Sequence, residues 1–167
     1  MTAANTVVAA TDGSALGNPG PSGWSWWASS TSWDAGTDGR GTNNAAELKA
    51  LAELLGAIPG GLPLQVRCDS MYVCNIVVGS GGRPPWRLSW ARKNWRTKDG
   101  PVANLELVQL IDARWRARIA PASMVWVRAH QSGGDPFNAA ADAHARAASE
   151  SFAARRVACG GPGWTGS

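Results

Sequence analysis

The sequence predicts an α/β domain built on one five-stranded mixed sheet, three antiparallel strands and then two parallel ones, flanked by helices. Residues 7–39 hold three apolar or aromatic stretches joined by short Gly, Asn, Pro and Asp turns, the pattern of an antiparallel meander. From Thr42 the apolar period changes to helical spacing. Two later strand-like stretches are separated by helical segments, and helical crossovers join parallel strands.

Residues 7–11 form a short apolar run, read as a strand buried on both faces and ending at Asp12-Gly13-Ser14. Gly17-Asn18-Pro19-Gly20-Pro21 is turn chemistry. Trp24, Trp26 and Trp27 favour a second strand, and Asp38-Gly39 closes a third. Leu48, Leu51 and Leu55 recur on one face of a helix over 42–56, which Gly56 and Pro59 stop. Residues 64–69 alternate Leu, Val, Cys with Gln, Arg, Asp, a strand. A short helix is predicted over 70–78. A further helix is predicted over 104–119 with Leu107, Leu110 and Ile111 inward. A last strand covers 123–128, a Gly-containing loop 130–136, and an Ala-rich helix 137–154. From Arg155 onward no period is visible. Residues 1–154 therefore read as one domain and 155–167 as a flexible tail.

The chain has 167 residues, 44% of them hydrophobic, which suits one domain with a sizeable core. No apolar run reaches the length of a membrane span, and the first residues lack the pattern of a secretory signal. Cys68, Cys74 and Cys159 are an odd, scattered set. They predict neither a disulfide framework nor a four-cysteine zinc site, and point to a reducing, cytoplasmic setting.

Net charge is +4, from 16 Lys and Arg against 12 Asp and Glu. Six of the bases lie between Arg83 and Lys98 with no acid among them, leaving the remainder acidic overall. Trp86, Trp90 and Trp95 are interleaved with Arg83, Arg87, Arg92, Lys93, Arg96 and Lys98. Such a segment suits a polyanion, with cations on phosphates and indoles on bases or sugars. It equally fits an amphipathic helix with tryptophans inward and charges in water.

Asp12 and Asp69 each close a predicted strand, and sites in open α/β sheets form beyond the carboxyl ends of strands. Two carboxylates brought together there repel unless a cation lies between them. On a helical wheel Glu47 falls between Leu51 and Leu54, inside the apolar stripe. An inward Glu needs a partner, although alone it also reads as a first-turn carboxylate favoured by the helix dipole. Asp142 follows Asn138 by one turn, and alone it reads as a solvated helix acid. Four carboxylates with no Cys or His cluster favour hard cations such as Mg²⁺ or Mn²⁺. Together with a basic, tryptophan-bearing segment they point to two-metal phosphodiester hydrolysis.

These residues resemble type 1 ribonuclease H, the enzymes that cut RNA in RNA–DNA hybrids. Thr11-Asp12-Gly13-Ser14 with Gly17-Asn18-Pro19-Gly20-Pro21 resembles the family's first strand and hairpin. Thr42-Asn43-Asn44-Ala45-Ala46-Glu47-Leu48 resembles its first-helix motif, and Cys68-Asp69-Ser70-Met71-Tyr72-Val73 its third motif. Trp126-Val127-Arg128-Ala129-His130, then Asn138 and Asp142, resembles its fourth. The order of the four, with the basic segment in the right interval, makes the likeness specific.

The resemblance implies the ribonuclease H-like fold and hydrolysis of the RNA strand by two Mg²⁺ ions, with Mn²⁺ able to substitute, giving 3′-OH and 5′-phosphate ends. It implies Asp12, Glu47, Asp69 and Asp142 as metal ligands, with Asp12 shared, and His130 as an aid to proton transfer or product release. Substrate contacts would come from Ser14, Asn18, Thr42, Asn43, Asn44 and Asn138. Thr42 and Asn18 would form a pocket for a DNA phosphate, Trp86 would pack on a DNA sugar, and Arg92, Lys93, Trp95 and Arg96 would form a basic protrusion. The expected partner is an RNA–DNA hybrid, with no membrane, and the expected state a monomer. Met71, Ala45 and Ala91 replace a Gln, an Arg and a basic residue common in the family, and the loop over 131–137 reads two residues longer. His144 is read as a packing or surface residue. Cys68 is read as a buried thiol, and Trp24, Trp26, Trp27, Trp115 and Trp126 as core or sheet surface. A related nuclease of the same fold, a non-catalytic hybrid-binding module and a two-carboxylate glycosidase are the competing classes.

Overall fold

The structure is a computed structural model that describes residues 5–130, 132–154 and 160–166. In chain order the elements are β1 (Val7–Ala15), β2 (Gly20–Ser29), β3 (Ser32–Gly36), β4 (Arg40–Gly41), α1 (Asn43–Ala57), β5 (Leu64–Cys68) and α2 (Met71–Val77). There follow α3 (Trp86–Arg92), β6 (Arg96–Thr97), β7 (Gly100–Pro101), α4 (Leu105–Arg116), β8 (Ala122–Trp126) and α5 (Pro136–Ala153). The main sheet runs β3-β2-β1-β5-β8, with short β4 added beside β2. β1, β2 and β3 pair antiparallel, whereas β1, β5 and β8 pair parallel. This is the predicted mixed sheet, with β4 and a small β6–β7 hairpin as additions.

Residues 1–4, 131, 155–159 and 167 are outside the described set, so the loop over 131–137 is described only from 132 onward and Cys159 not at all.

The two sheet faces are built differently. On one face α1 presses Leu48, Leu51, Leu54 and Leu55 onto Ala9, Trp24, Trp26, Val66 and Cys68, and α4 closes this core with Val108 and Ile111. Leu107 packs on this core and Ile111 is buried in it, but Leu110 is 38% exposed, so Val108 takes its place in the inward set of α4. The other face is covered by α5 through small residues, Ala141, Ala145 and Ala148. Close approach there depends on Gly23, since a Cβ at that position would lie 2.6 Å from the Ser149 backbone nitrogen. Ser25 fixes the register by donating to the Ala141 carbonyl at 2.5 Å.

Tryptophans divide between the faces by strand alternation. Trp24 and Trp26 enter the core, whereas Trp27 meets the Phe137 ring edge-on at 5.1 Å. His144 stacks on Trp33 with centroids 3.8 Å apart, and burial lowers its pKa, as a packing histidine should show. Cys68 is fully buried.

The tail expectation is corrected for residues 160–166, which lie along the outer edge of β3. Gly163 donates its N–H to Trp33 O at 2.9 Å, and Gly161 donates to Asp34 Oδ1 at 2.8 Å. Ser32 Oγ and Thr165 Oγ1 are 2.7 Å apart, and Trp164 packs on the core cluster. An edge strand offers unpaired backbone groups, and this segment uses them despite its lack of period.

Candidate active site

The register of the parallel ladder assembles the centre of the site. Its last pair is Thr11 with Cys68, so Asp12 and Asp69 follow side by side at the end of the ladder. Both face α5, because alternate residues of a strand share a face. Asp12 does not end its strand as predicted. β1 continues to Ala15 against β2, and Asp12 stands where only the parallel pairing stops.

Glu47 reaches the same point from the opposite face. Thr42 starts α1, its hydroxyl oxygen accepting the Ala45 N–H at 3.1 Å, and Glu47 follows in the second turn. Gly13 lets the helix lie directly on β1, because a Cβ there would sit 2.5 Å from the Ala46 carbonyl carbon. Asp12 and Glu47 are each 4% exposed.

Asp12, Glu47 and Asp69 each offer a carboxylate oxygen, and these oxygens lie within 4.8 Å of one another. Burial, with Asp69 beside it, pushes the Asp12 pKa up to about 8. Burial and the Asp12 charge push Glu47 well above its usual range. Asp69 is raised by burial, against the hydrogen bond from Asn138. Glu47 Oε2 is buried and has no hydrogen-bond partner among the described residues. An all-oxygen set with mutual repulsion and an orphaned buried oxygen fits a divalent cation.

Asp142 and His130 line the same cleft as the three acids, with Ser14, Asn43 and Arg146. Asp142 is outside the tight cluster and pairs with Arg146 Nη2 at 3.3 Å, although its charge acts on Asp12. Arg146 was not singled out in the sequence, where its position four residues after Asp142 was the available signal. His130 is exposed, with a left-handed φ of 52°. Asn138 is buried and donates through Nδ2 to Asp69 Oδ2 at 3.3 Å. Trp126, at the sheet edge and 44% exposed, donates to the Asp69 carbonyl at 3.0 Å.

The expected substrate residues fall in two groups. Asn18 Oδ1 accepts the Asn43 N–H at 3.1 Å, which ties the β1–β2 hairpin to the start of α1 beside Thr42 and exposed Asn44. Ser14 is half-buried, with its hydroxyl 3.2 Å from Ser149 Oγ. In the basic segment, Arg92, Lys93 and Arg96 are exposed around half-buried Trp95. Trp86 is 38% exposed, whereas Trp90 and Trp95 pack toward the core. The segment is thus amphipathic, with Trp90 and Trp95 inward and Arg92, Lys93 and Arg96 in water. Arg87 is corrected out of the basic surface, because it is buried and pairs with Asp112 Oδ1 at 2.7 Å.

Sheet order, helix placement and the acidic cluster together define an enzyme of the ribonuclease H fold. In a solved structure, LC9-RNase H1, a type 1 RNase H with the type 2 active-site motif, the same fold covers 99% of this chain and 80% of that one. The TM-score is 0.71 at 21% identity. LC11-RNase H1 in complex with an RNA/DNA hybrid matches over 81% of this chain and 91% of that one, with a TM-score of 0.53 at 22% identity. The family description RNase H matches residues 4–150. Ribonuclease H of Tropheryma whipplei is 44% identical over 163 residues, 96% of this chain and 95% of that protein. The chain belongs to the RNase H family.

Proposed function

We propose that this protein hydrolyses the RNA strand of RNA–DNA hybrids endonucleolytically with two divalent ions, leaving 3′-OH and 5′-phosphate ends. The observation that carries this is the convergence of Asp12, Glu47 and Asp69, with one Glu47 oxygen buried and without a hydrogen-bond partner among the described residues. A glycosidase would need one carboxyl to act as acid and another as base or nucleophile, and leaves a third acid without purpose.

Asp12, Glu47 and Asp69, with Asp142 across the cleft, would hold the ions, Mg²⁺ with Mn²⁺ as a substitute. Bound divalent ions supply Lewis acidity and charge neutralisation for phosphodiester hydrolysis. Asn138 orients the Asp69 carboxylate through its side-chain amide. His130, on the cleft rim, aids proton transfer or product release. Asn18 and Thr42 hold a DNA phosphate, and Ser14, Asn43 and Asn44 meet the strands near the cleft. Trp86 packs on a sugar, and Arg92, Lys93, Trp95 and Arg96 follow the backbone. Such contacts read strand chemistry, the RNA 2′-hydroxyl above all, with little base sequence. Residues 1–154 form the catalytic unit, acting as a monomer in the cytoplasm.

The test is cleavage of an end-labelled hybrid beside matched RNA and DNA duplexes, with Mg²⁺ and with EDTA, for wild type and Asp12→Asn. Metal-dependent cutting of the hybrid's RNA strand alone, lost in the variant, is expected. Salt-sensitive binding without cutting would instead indicate a binding module, and cutting of duplex or branched DNA a related nuclease.

A further inference from the structure

Arg67 lies on β5 two residues before Asp69, so both side chains face α5. Its Nη1 is 2.6 Å from Asp135 Oδ2, and its guanidinium carbon lies 4.6 Å from the Phe137 ring centroid. Asp135 is the N-cap of α5, and its other oxygen, Oδ1, accepts the Asn138 N–H at 2.9 Å. Asn138 in turn donates to Asp69. The connection Arg67–Asp135–Asn138–Asp69 leaves β5, passes through the first turn of α5, and returns to the end of the same strand.

We propose that Arg67 is a positioning residue, clamping the first turn of α5 so that Asn138 and, one turn later, Asp142 face Asp69 and Asp12; this rests on the hydrolytic reading above.

Capping by itself does not need Arg67, since an N-cap carboxylate acts alone and Asn caps as well as Asp. Arg67 adds two things. It neutralises a carboxylate that would otherwise extend the negative field of Asp12, Glu47, Asp69 and Asp142. It also bolts the helix start to the strand that leads into Asp69. Exposed ion pairs contribute little, but here both partners are largely shielded, at 26% and 15% side-chain exposure. Phe137 covers the guanidinium, and Trp27 holds Phe137 in turn. Residues that orient metal ligands are worth about 10–100-fold in metal affinity or activity.

The test compares wild type, Arg67→Met, Arg67→Lys and Asp135→Asn by three readouts. These are exchange of the Asn138 amide, Mn²⁺ affinity by calorimetry on the nucleic-acid-free protein, and kcat and KM on a hybrid. In Arg67→Met the Asn138 amide exchanges faster, Mn²⁺ binds about tenfold more weakly, and kcat falls while KM for the hybrid holds. Asp135→Asn, which keeps a cap and breaks the ion pair, does the same, and Arg67→Lys falls between. Unchanged Asn138 exchange and Mn²⁺ affinity in Arg67→Met would overturn the clamp, as would losses that follow melting temperature alone across all three variants. If the wild type fails to cut hybrids the functional reading falls, while amide exchange still decides the clamp.

Discussion

Gly13 lies directly beneath Glu47, and the contact is backbone on backbone: a Cβ at Gly13 would sit 2.8 Å from Glu47 Cα. A carboxylate from the α1 face can join two carboxylates on the α5 face only because nothing stands between helix and strand. Gly13→Ala should lift the start of α1, and overpacking of this kind costs about 1–3 kcal/mol. The expected outcome is a lower urea midpoint and a larger proportional loss of cleavage, since Glu47 moves with its helix. Cleavage per folded molecule equal to wild type would show that Glu47 does not depend on this approach.

The acidic cluster sets a pH dependence. The Asp12 pKa stands at about 8 in the fold against 3.8 as an ordinary carboxyl, so the folded state holds a proton that the unfolded chain releases. Stability therefore falls as pH rises: the penalty is absent below 3.8, grows through the interval and is complete above about 8. In EDTA the protein should be more stable at pH 5 than at pH 8 by a few kcal/mol, since one proton held across each pH unit is worth about 1.4 kcal/mol. Mg²⁺ should flatten that slope, and Asp12→Asn should raise stability at pH 8 while abolishing cleavage. Denaturant melts at both pH values, with and without Mg²⁺, beside a cleavage assay, read all of this.

Arginines of the basic segment should separate into two kinds. Arg92→Ala with Lys93→Ala is expected to weaken hybrid binding and flatten its salt dependence by about two phosphate contacts. Arg87 is buried against Asp112 and also donates to the Val77 carbonyl at 2.9 Å. Arg87→Met should leave the salt slope alone and cost about 3 kcal/mol of stability, as removal of one partner of a buried pair does. Salt titrations of hybrid binding beside urea melts distinguish the two.

Removal of residues 155–167 should destabilise the domain. Backbone and side-chain hydrogen bonds to β3 are lost at about 1 kcal/mol each, and the partial burial of Trp164 with them. Offset by the entropy of ordering the segment, a net loss of about 2 kcal/mol is expected, with hybrid cleavage per folded molecule retained. An unchanged urea midpoint would show that the segment adds nothing to stability.

Much of the site is legible in the sequence because its residues are tied to local rules. Asp12 follows an apolar run, Asp69 closes an alternating one, and Glu47 breaks the apolar stripe of a helix. The features that the sequence hides involve contacts between distant segments. Arg87 reads as part of a basic surface until Asp112, twenty-five residues on, proves to be its partner. Leu110 follows helical spacing yet lies outward, because α4 meets the core through Leu107, Val108 and Ile111. Residues 160–166 lack any period because their order comes from the edge of β3.

The mixed α/β class, the order of strands and helices, and the acids that stand out are legible in the chain alone, since each depends on periodicity and turns within a few residues. The tertiary structure decided which of those acids meet: the Thr11–Cys68 register aligns Asp12 with Asp69, and Gly13 admits Glu47. It also decided that Arg67 reaches the first turn of α5. Register and helix–sheet approach are set by side chains far apart in the chain, whose contacts exist only once the sheet has closed.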